Sequence, residues 1–154
     1  MAPLKIGDPA PVIEAVDQHG NHISLASFKG HKVILYFYPK DNTPGCTTEA
    51  CNLRDNHQIL KDKGFLIMGV SADDERSHKN FSDKYALPFT LIPDKAKEII
   101  KDYGVWGKKK LYGKEYDGIN RMTFIIDENG IITHIISKVD TKNHTDQILK
   151  EMRY

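Results

Sequence analysis

The most constraining feature of this 154-residue sequence is a pair of short segments that are apolar at every position, Val33–Tyr38 and Phe65–Val70. Continuous apolarity is typical of strands that are covered on both faces of a sheet. Between them, apolar residues at three-to-four spacing predict a helix over 46–62. Two acidic N-cap candidates, Asp73 and Asp74, predict another over 75–85. Alternating strands and helices of this kind indicate an α/β fold.

The rest of the chain extends this pattern. Asn129-Gly130 lies between two apolar runs, which is a strong signal for an antiparallel hairpin and makes the central β-sheet mixed. Residues 105–120 contain lysines, tyrosines and glycines without a clear period, and they are predicted to be a loop. The other predicted elements are an N-terminal β-hairpin within 12–25, a strand at Phe89–Ile92, a helix over 95–103, strands at Met122–Asp127 and Ile131–Ile136, and a helix over 143–153.

Composition limits the classes of function. Lys and Arg total 22 against 21 Asp and Glu, so the net charge of +1 does not favour nucleic-acid binding, and Lys108–Lys110 is expected to be a solvated basic run. The longest apolar run is Val33–Tyr38, far short of the roughly 20 residues of a membrane helix. The first residues contain no apolar signal core. We therefore expect one cytoplasmic domain over 1–154, with no membrane association.

Cys46 occupies the most informative position in the chain. The segment Pro39–Gly45 follows the first apolar strand and leads into the predicted helix, so Cys46 falls in the first turn of that helix. Unpaired backbone N–H groups and the positive end of the helix dipole favour an anion there, which for cysteine is the thiolate. The neighbours of Cys46 are small or polar, which argues against an inert core cysteine.

Cys51 lies five residues further along the same predicted helix, and there a packing role and a chemical role remain equally open. Five helical residues separate two Cα atoms by roughly 8.7 Å. A disulfide usually needs less than about 7 Å. A bond between Cys46 and Cys51 therefore requires at least one turn of the helix to unwind.

Metal and nucleotide sites find no support in the sequence. Cys46, Cys51 and His57 lack the short paired spacing of zinc ligands, and the seven histidines form no metal motif. Neither glycine-rich nucleotide signature occurs. We expect no cofactor and no metal.

At this point several motifs in register identify a resemblance. Pro39 to Cys46 matches P-x-x-x-[ST]-x-x-C, the active-site pattern of the peroxiredoxins, and YPKDNTPGCTTEAC is similar to the bacterioferritin-comigratory, or Q-type, subfamily. The segments GVSADD, YGVWG and YDGINRMTFIIDENG continue the resemblance over nearly the whole chain. Met122 departs from the small polar residue that many relatives carry. The resemblance implies a thioredoxin-like fold.

The resemblance also implies a role for individual residues. Cys46 would be the peroxidatic cysteine and Cys51 the resolving cysteine. Thr43 would hydrogen-bond the thiolate and the peroxide, and Pro39 would shield the site from water. Arg121 would stabilise the thiolate and the polarised peroxide. Two supporting residues complete the expected site, Glu49 and Gly45.

The implied reaction is thiol-dependent reduction of hydrogen peroxide and organic hydroperoxides. It passes through a sulfenic acid and an intramolecular disulfide, which thioredoxin or a similar dithiol would reduce. A monomer is expected rather than a stable oligomer. A thioredoxin-like oxidoreductase would instead show C-x-x-C. The alternative function is a redox sensor or holdase that uses the same cysteine pair.

Overall fold

The central sheet carries the fold, and its strands occur in the order β5-β4-β3-β8-β9. The computed structural model describes residues 3–153, except for the side chain of Leu111. Within this range the strands are β1 Glu14–Val16, β2 His22–Ser24, β3 Lys32–Phe37, β4 Phe65–Ser71, β5 Thr90–Pro93, β6 Trp106–Leu111, β7 Lys114–Ile119, β8 Met122–Ile126 and β9 Ile132–Ile136. The α-helices are α1 Pro44–Asp55, α2 His57–Asp62, α3 Glu75–Tyr85, α4 Glu98–Asp102 and α5 His144–Glu151.

Strand direction confirms the predicted mixed sheet. β3 pairs with β4 in parallel, and β4 pairs with β5 in parallel. On its other side β3 pairs antiparallel with β8, and β8 pairs antiparallel with β9. The five predicted strands of this sheet begin and end within one residue of their observed bounds.

The two faces of the sheet are both covered, as the continuous apolar runs predicted. Alternate residues of β3, such as Leu35 and Phe37, join a core with α4 and the N-terminal segment. The residues between them, such as Ile34 and Tyr36, join a core with α1, α2, α3 and α5. Helices therefore flank the sheet, and the site described below lies at one edge of the second core. The predicted N-terminal hairpin is formed by β1 and β2.

The prediction of one continuous helix over 46–62 is wrong. The helix begins earlier, at Pro44, because proline suits the first helical position, and it is interrupted at Asn56. The Asn56 side-chain amide donates to the carbonyl of Asn52 at 2.8 Å. Asparagine side chains compete in this way with helical backbone hydrogen bonds, so the chain divides into α1 and α2.

The predicted loop over 105–120 is also wrong, because β6 and β7 form an antiparallel hairpin there. Its turn residues, Tyr112 and Gly113, both have positive φ, at 53° and 80°, as a two-residue hairpin turn requires. The hairpin is not part of the central sheet, so it shows no run of buried residues. The sequence did contain one signal for this hairpin, namely lysines that pair with acidic residues on the opposite strand, such as Lys110 with Glu115.

The remaining differences concern helix ends. The helix predicted over 95–103 is limited to α4, and that predicted over 143–153 is limited to α5. Asp94 accepts a hydrogen bond from the Ile100 amide at 2.8 Å, which holds a turn in the segment that precedes α4. Among residues 3–153, no helix has both the length and the apolarity to cross a membrane.

Candidate active site

Cys46 is the third residue of α1 and is almost completely buried, with 1% of its surface exposed. The loop after β3 delivers the chain to Thr43, the N-cap of α1, and Pro44 starts the helix. The first-turn amides have no carbonyl partner within the helix, so they leave positive partial charge around the sulfur. The expected placement of Cys46 in a first helical turn is confirmed.

Arg121 immediately precedes β8 and reaches the sulfur from the neighbouring strand. Antiparallel pairing of β3 with β8 places Met122 opposite Phe37, at the end of β3 from which the loop to α1 departs. From there Arg121 Nη2 donates to Cys46 Sγ at 3.2 Å, and Nη1 donates to Glu49 Oε1 at 2.6 Å. The guanidinium therefore joins a thiol and a carboxyl group that lie on α1.

Gly45 permits this approach. A Cβ atom at Gly45 would lie 3.3 Å from Arg121 Nη2, which is a tight contact. Its backbone is helical, so it is the missing side chain rather than an unusual conformation that matters here. Gly45 lies between the N-cap and Cys46 and leaves room for the guanidinium.

Glu49 lies one helical turn after Cys46 and is fully buried. Burial raises the pKa of Glu49 from its ordinary 4.5 to about 7, although the charge of Arg121 and its hydrogen bond act in the opposite direction. A carboxyl group with such a pKa changes its protonation state near neutral pH. Whether Arg121 faces a neutral or a negatively charged Glu49 therefore depends on the protonation of that carboxyl group.

Thr43 and Pro39 lie in the loop that leads into α1. The Thr43 hydroxyl donates to the carbonyl of Lys40 at 2.8 Å, so its one proton is engaged within the loop. Its oxygen keeps the capacity to accept a hydrogen bond. The hydrogen bond from Thr43 to the Cys46 thiolate that the resemblance implied is not formed in this arrangement, and contact with a peroxide stays a prediction. Pro39 is half-buried directly after the apolar strand, and its shielding role stays a prediction as well.

Cys51 is half-buried in the body of α1, and both cysteines are free thiols. The helix is continuous from Pro44 to Asp55, so the two cysteines belong to the same regular element. Next to Cys51, Asn52 fastens α1 to α5. Its side chain donates to the Lys142 carbonyl at 2.9 Å and accepts from the Thr145 amide at 2.8 Å.

A buried network that the sequence analysis did not find anchors the loop before α1. Asp41 is the centre, and it accepts from the Tyr38 hydroxyl at 2.6 Å and from Ser77 Oγ at 2.8 Å. His78 Nδ1 lies 2.7 Å from the same carboxylate. Asp41, Asp73 and His78 place potential metal-ligand atoms within 4.8 Å of one another, but these atoms already serve in hydrogen bonds that hold the loop.

Lys109, on the hairpin of β6 and β7, adds a further cation near the site. Its ammonium donates to the Ile119 carbonyl at 2.9 Å. Burial lowers the pKa of Lys109, the charge of Arg121 lowers it further, and the sulfur of Cys46 raises it. The basic run 108–110 is thus not purely solvated, because its middle residue is within electrostatic reach of Cys46.

His144 and Thr123 form a layer behind Glu49 that the sequence analysis also missed. Both are fully buried, and His144 Nε2 lies 2.8 Å from Thr123 Oγ1 and 3.5 Å from Glu49 Oε2. His144 is the first residue of α5, and Thr123 belongs to β8. No local motif marks these residues, because only the packing of α5 against α1 and β8 brings them to the site.

Comparison with known proteins gives a consistent result. The model of the AhpC/TSA family matches residues 6–135. Peroxiredoxin Bcp of Escherichia coli K12 is 44% identical over 153 residues, covering 99% of this chain and 98% of that protein. Peroxiredoxin Bcp of Bacillus subtilis is 42% identical over 150 residues, covering 97% of this chain and 96% of the relative.

A solved structure shows the same fold. It belongs to the bacterioferritin comigratory protein of Xanthomonas campestris, which was studied for its alkyl peroxide reduction activity. The TM-score is 0.85 at 33% identity, and the match covers 92% of this chain and 90% of that one. The expected thioredoxin-like fold and the resemblance drawn from the motifs are thus confirmed.

Proposed function

The chain belongs to the AhpC/TSA family and is a peroxiredoxin, that is, a thiol peroxidase, and we propose that it reduces hydroperoxides through Cys46 and Cys51 with a thioredoxin-like dithiol as reductant. One observation carries the assignment of Cys46. Its buried sulfur lies at the start of α1 and receives a hydrogen bond from Arg121 Nη2 at 3.2 Å. Both features stabilise a thiolate, which is the nucleophilic form of cysteine.

The first step is attack of the Cys46 thiolate on one oxygen of the hydroperoxide. A sulfur–oxygen bond forms, the oxygen–oxygen bond breaks, and sulfur is oxidised by two electrons to a sulfenic acid. The other oxygen leaves as an alkoxide or hydroxide and takes a proton from solvent. Arg121 and the first-turn amides of α1 lie close to the sulfur, where they would stabilise this negative charge, and preorganised donors of this kind lower the barrier.

In the second step Cys51 resolves the sulfenic acid. Its thiol displaces water from the oxidised sulfur of Cys46 and forms an intramolecular disulfide. Both residues belong to the continuous helix α1, so this step requires the helix to open. A dithiol reductant then restores both thiols by exchange and becomes a disulfide itself.

The proposed substrates are hydrogen peroxide and organic hydroperoxides. The Xanthomonas relative, whose reported activity is alkyl peroxide reduction, supports the organic class. A broad substrate range is expected, because the proposed chemistry acts on the two peroxide oxygens and not on the carbon substituent. Comparing hydrogen peroxide with an alkyl hydroperoxide under identical conditions tests this range.

The deciding experiment is peroxide consumption coupled to NADPH oxidation through thioredoxin and its reductase. We expect steady turnover for the wild type and none for Cys46→Ser, because serine is hardly ionised near neutral pH. Cys51→Ser should react once with peroxide, at a rate close to that of the wild type, but recycle poorly. Equal loss of the single reaction in both variants would refute their separate roles. Absence of steady turnover in the wild type with thioredoxin and with other dithiols would favour a sensor or holdase.

A further inference from the structure

Behind Arg121, three fully buried polar side chains from three elements meet: Glu49 of α1, Thr123 of β8 and His144 of α5. Glu49 Oε1 accepts from Arg121, whereas Glu49 Oε2 has no hydrogen-bond partner within residues 3–153. The His144 Nε2 atom lies 3.5 Å from Oε2. An unpaired buried oxygen is costly, so its protonation state and that of His144 decide how the cluster is stabilised.

The tautomer of His144 follows from its other neighbour, Gln147. The Gln147 amide is oriented by two backbone contacts, because Oε1 accepts from the Asp140 amide at 2.9 Å and Nε2 donates to the Lys138 carbonyl at 2.8 Å. Its Oε1 also lies 2.9 Å from His144 Nδ1. Since this oxygen can only accept, the proton of the neutral imidazole is on Nδ1.

His144 Nε2 then carries a lone pair, and the Thr123 hydroxyl at 2.8 Å donates to it. If Glu49 were ionised, Oε2 would face this lone pair without a proton between them. Nε2 is already engaged by Thr123 and offers no N–H to Oε2, so a carboxylate at this position would lack a donor, and protonation of Glu49 removes the repulsion. The neutral His144 therefore favours the protonated form of Glu49.

The electrostatic environment also favours a protonated Glu49 and a neutral His144. Burial raises the pKa of Glu49 to about 7 and lowers the pKa of His144 to about 4. Both effects disfavour a charge in this cluster. Just below neutral pH, Glu49 is therefore protonated and the neighbouring imidazole of His144 is neutral.

We propose that His144 is a positioning residue for peroxide reduction: because its Nε2 presents a lone pair and no N–H to Glu49 Oε2, it keeps Glu49 uncharged, and so leaves the positive charge of Arg121 to the Cys46 thiolate. This proposal rests on the proposed function. When Glu49 loses its proton, a carboxylate appears 2.6 Å from Arg121 Nη1 and competes with the thiolate for the same cation. Peroxide reduction should consequently slow as pH rises above neutral.

Other charged and titratable groups near the pair do not produce the same effect. Tyr36 of β3 stays neutral, because burial raises the pKa of its hydroxyl well above 10. Asp140, which precedes α5, acts on His144 as a more distant charge, and Lys109 of β6 adds positive charge near Cys46 and Arg121. The Tyr36 hydroxyl is also buried and unpaired, but it stays uncharged, whereas Glu49 changes its charge near neutral pH.

The test measures single-turnover oxidation of Cys46 by hydrogen peroxide against pH, in enzymes that all carry Cys51→Ser. The ultraviolet absorbance of the thiolate is recorded in parallel and does not depend on peroxidase activity. The two test variants are His144→Gln and Glu49→Gln. The matched control is His134→Gln, which removes an imidazole on β9, where His134 contacts the Thr133 hydroxyl.

In the parent enzyme the rate should fall as pH rises above neutral, where Glu49 loses its proton, and this fall is the descending limb of the pH profile. His144→Gln can turn its amide N–H toward Glu49, which favours the carboxylate. The descending limb should then move to lower pH by about one unit, a tenfold change in the protonation equilibrium of Glu49. Glu49→Gln cannot become negative, so the descending limb should disappear. His134→Gln should follow the parent.

A parent enzyme without a descending limb would overturn the proposal, and so would His144→Gln with an unshifted limb. If His144→Gln does not fold, Glu49→Gln decides, because a retained descending limb in that variant is incompatible with titration of Glu49 as its cause. Failure of the parent enzyme to react with peroxide at any pH would instead refute the proposed peroxidase function. In that event the pH dependence of the thiolate absorbance would still show whether Glu49 competes for Arg121.

Discussion

Arg121 Nη2 lies 3.2 Å from Cys46 Sγ although 75 residues separate the two along the chain. The same guanidinium holds Glu49 through Nη1, so it bridges two positions of α1 from outside the helix. Lysine carries the same charge but has no planar fork, and it cannot make both contacts with fixed geometry. Replacing Arg121 by lysine therefore tests whether charge alone or directed hydrogen bonding stabilises the thiolate.

We expect Arg121→Lys to lower the rate constant for Cys46 oxidation by about 100-fold, the usual effect of removing one preorganised donor. Stopped-flow measurement of a single turnover with hydrogen peroxide checks this. Arg54→Lys is the control, because Arg54 is a half-buried arginine of α1 that pairs with Asp55 and donates to the Tyr85 carbonyl at 2.8 Å. If Arg121→Lys reacts as fast as the wild type, directed donation by Arg121 is not part of the mechanism.

Gly45→Ala should separate stability from activity. Alanine in a helix is more stable than glycine by about 0.5–1 kcal/mol, so the free energy of unfolding should rise. The new Cβ would lie 3.3 Å from Arg121 Nη2 and displace the guanidinium, which should slow Cys46 oxidation by about tenfold. Denaturant unfolding and single-turnover kinetics measure the two effects. Thr48→Ala, at an exposed position in the same turn, is the control, and a similar slowing there would contradict the explanation.

Formation of the disulfide should open α1 without unfolding the protein. Amide hydrogen exchange across residues 44–54 should be faster in the oxidised enzyme than in the reduced one, because helical Cα atoms five residues apart are too distant for the bond. The Thr145 amide should lose protection at the same time, because it donates to the Asn52 side chain on α1. Helix α3 provides the internal reference.

Unchanged exchange across 44–54, with a Cys46–Cys51 bond proved by mass spectrometry, would show that oxidation needs no opening of the helix. Loss of protection in α3 as well would indicate a more global change than the one expected here.

The buried pair also predicts how stability depends on pH. The pKa of Glu49 is raised on folding from 4.5 to about 7, so its contribution to stability is present below 4.5 and is lost as pH rises toward 7. The pKa of His144 is lowered from 6.5 to about 4, so its contribution is present above 6.5 and is lost as pH falls toward 4. Between about 4.5 and 6.5 the folded and unfolded pairs each bind one proton, and the two effects cancel.

Glu49→Gln should expose the contribution of His144 alone. The difference in the free energy of unfolding, Glu49→Gln minus wild type, should rise with pH between about 4 and 6.5, by up to about 3 kcal/mol. Urea unfolding at several pH values gives this difference, and Glu151→Gln, at an exposed position, controls for loss of a carboxylate. A difference that is flat across this range would mean that His144 is not held neutral by burial.

The sequence predicted the parts of the site that depend on neighbouring residues. The apolar run Val33–Tyr38, the loop Pro39–Gly45 and the position of Cys46 in a first helical turn are contiguous, so strand and cap preferences act within a few residues of one another. Arg121 and Glu49 were reached only through the resemblance to a known family. Where local signals competed, as at Asn56, or where strands lay outside the core, as in the β6–β7 hairpin, the prediction was wrong.

Tertiary structure alone decided the electrostatics around Cys46. Antiparallel pairing of β8 with β3 brings Arg121 to the sulfur, and the packing of α5 places His144 behind Glu49. No local pattern encodes these contacts, because they depend on strand order, register and helix packing across distant parts of the chain. The protonation of Glu49 depends on them as well, since desolvation is a property of the assembled core and not of a residue's neighbours in sequence.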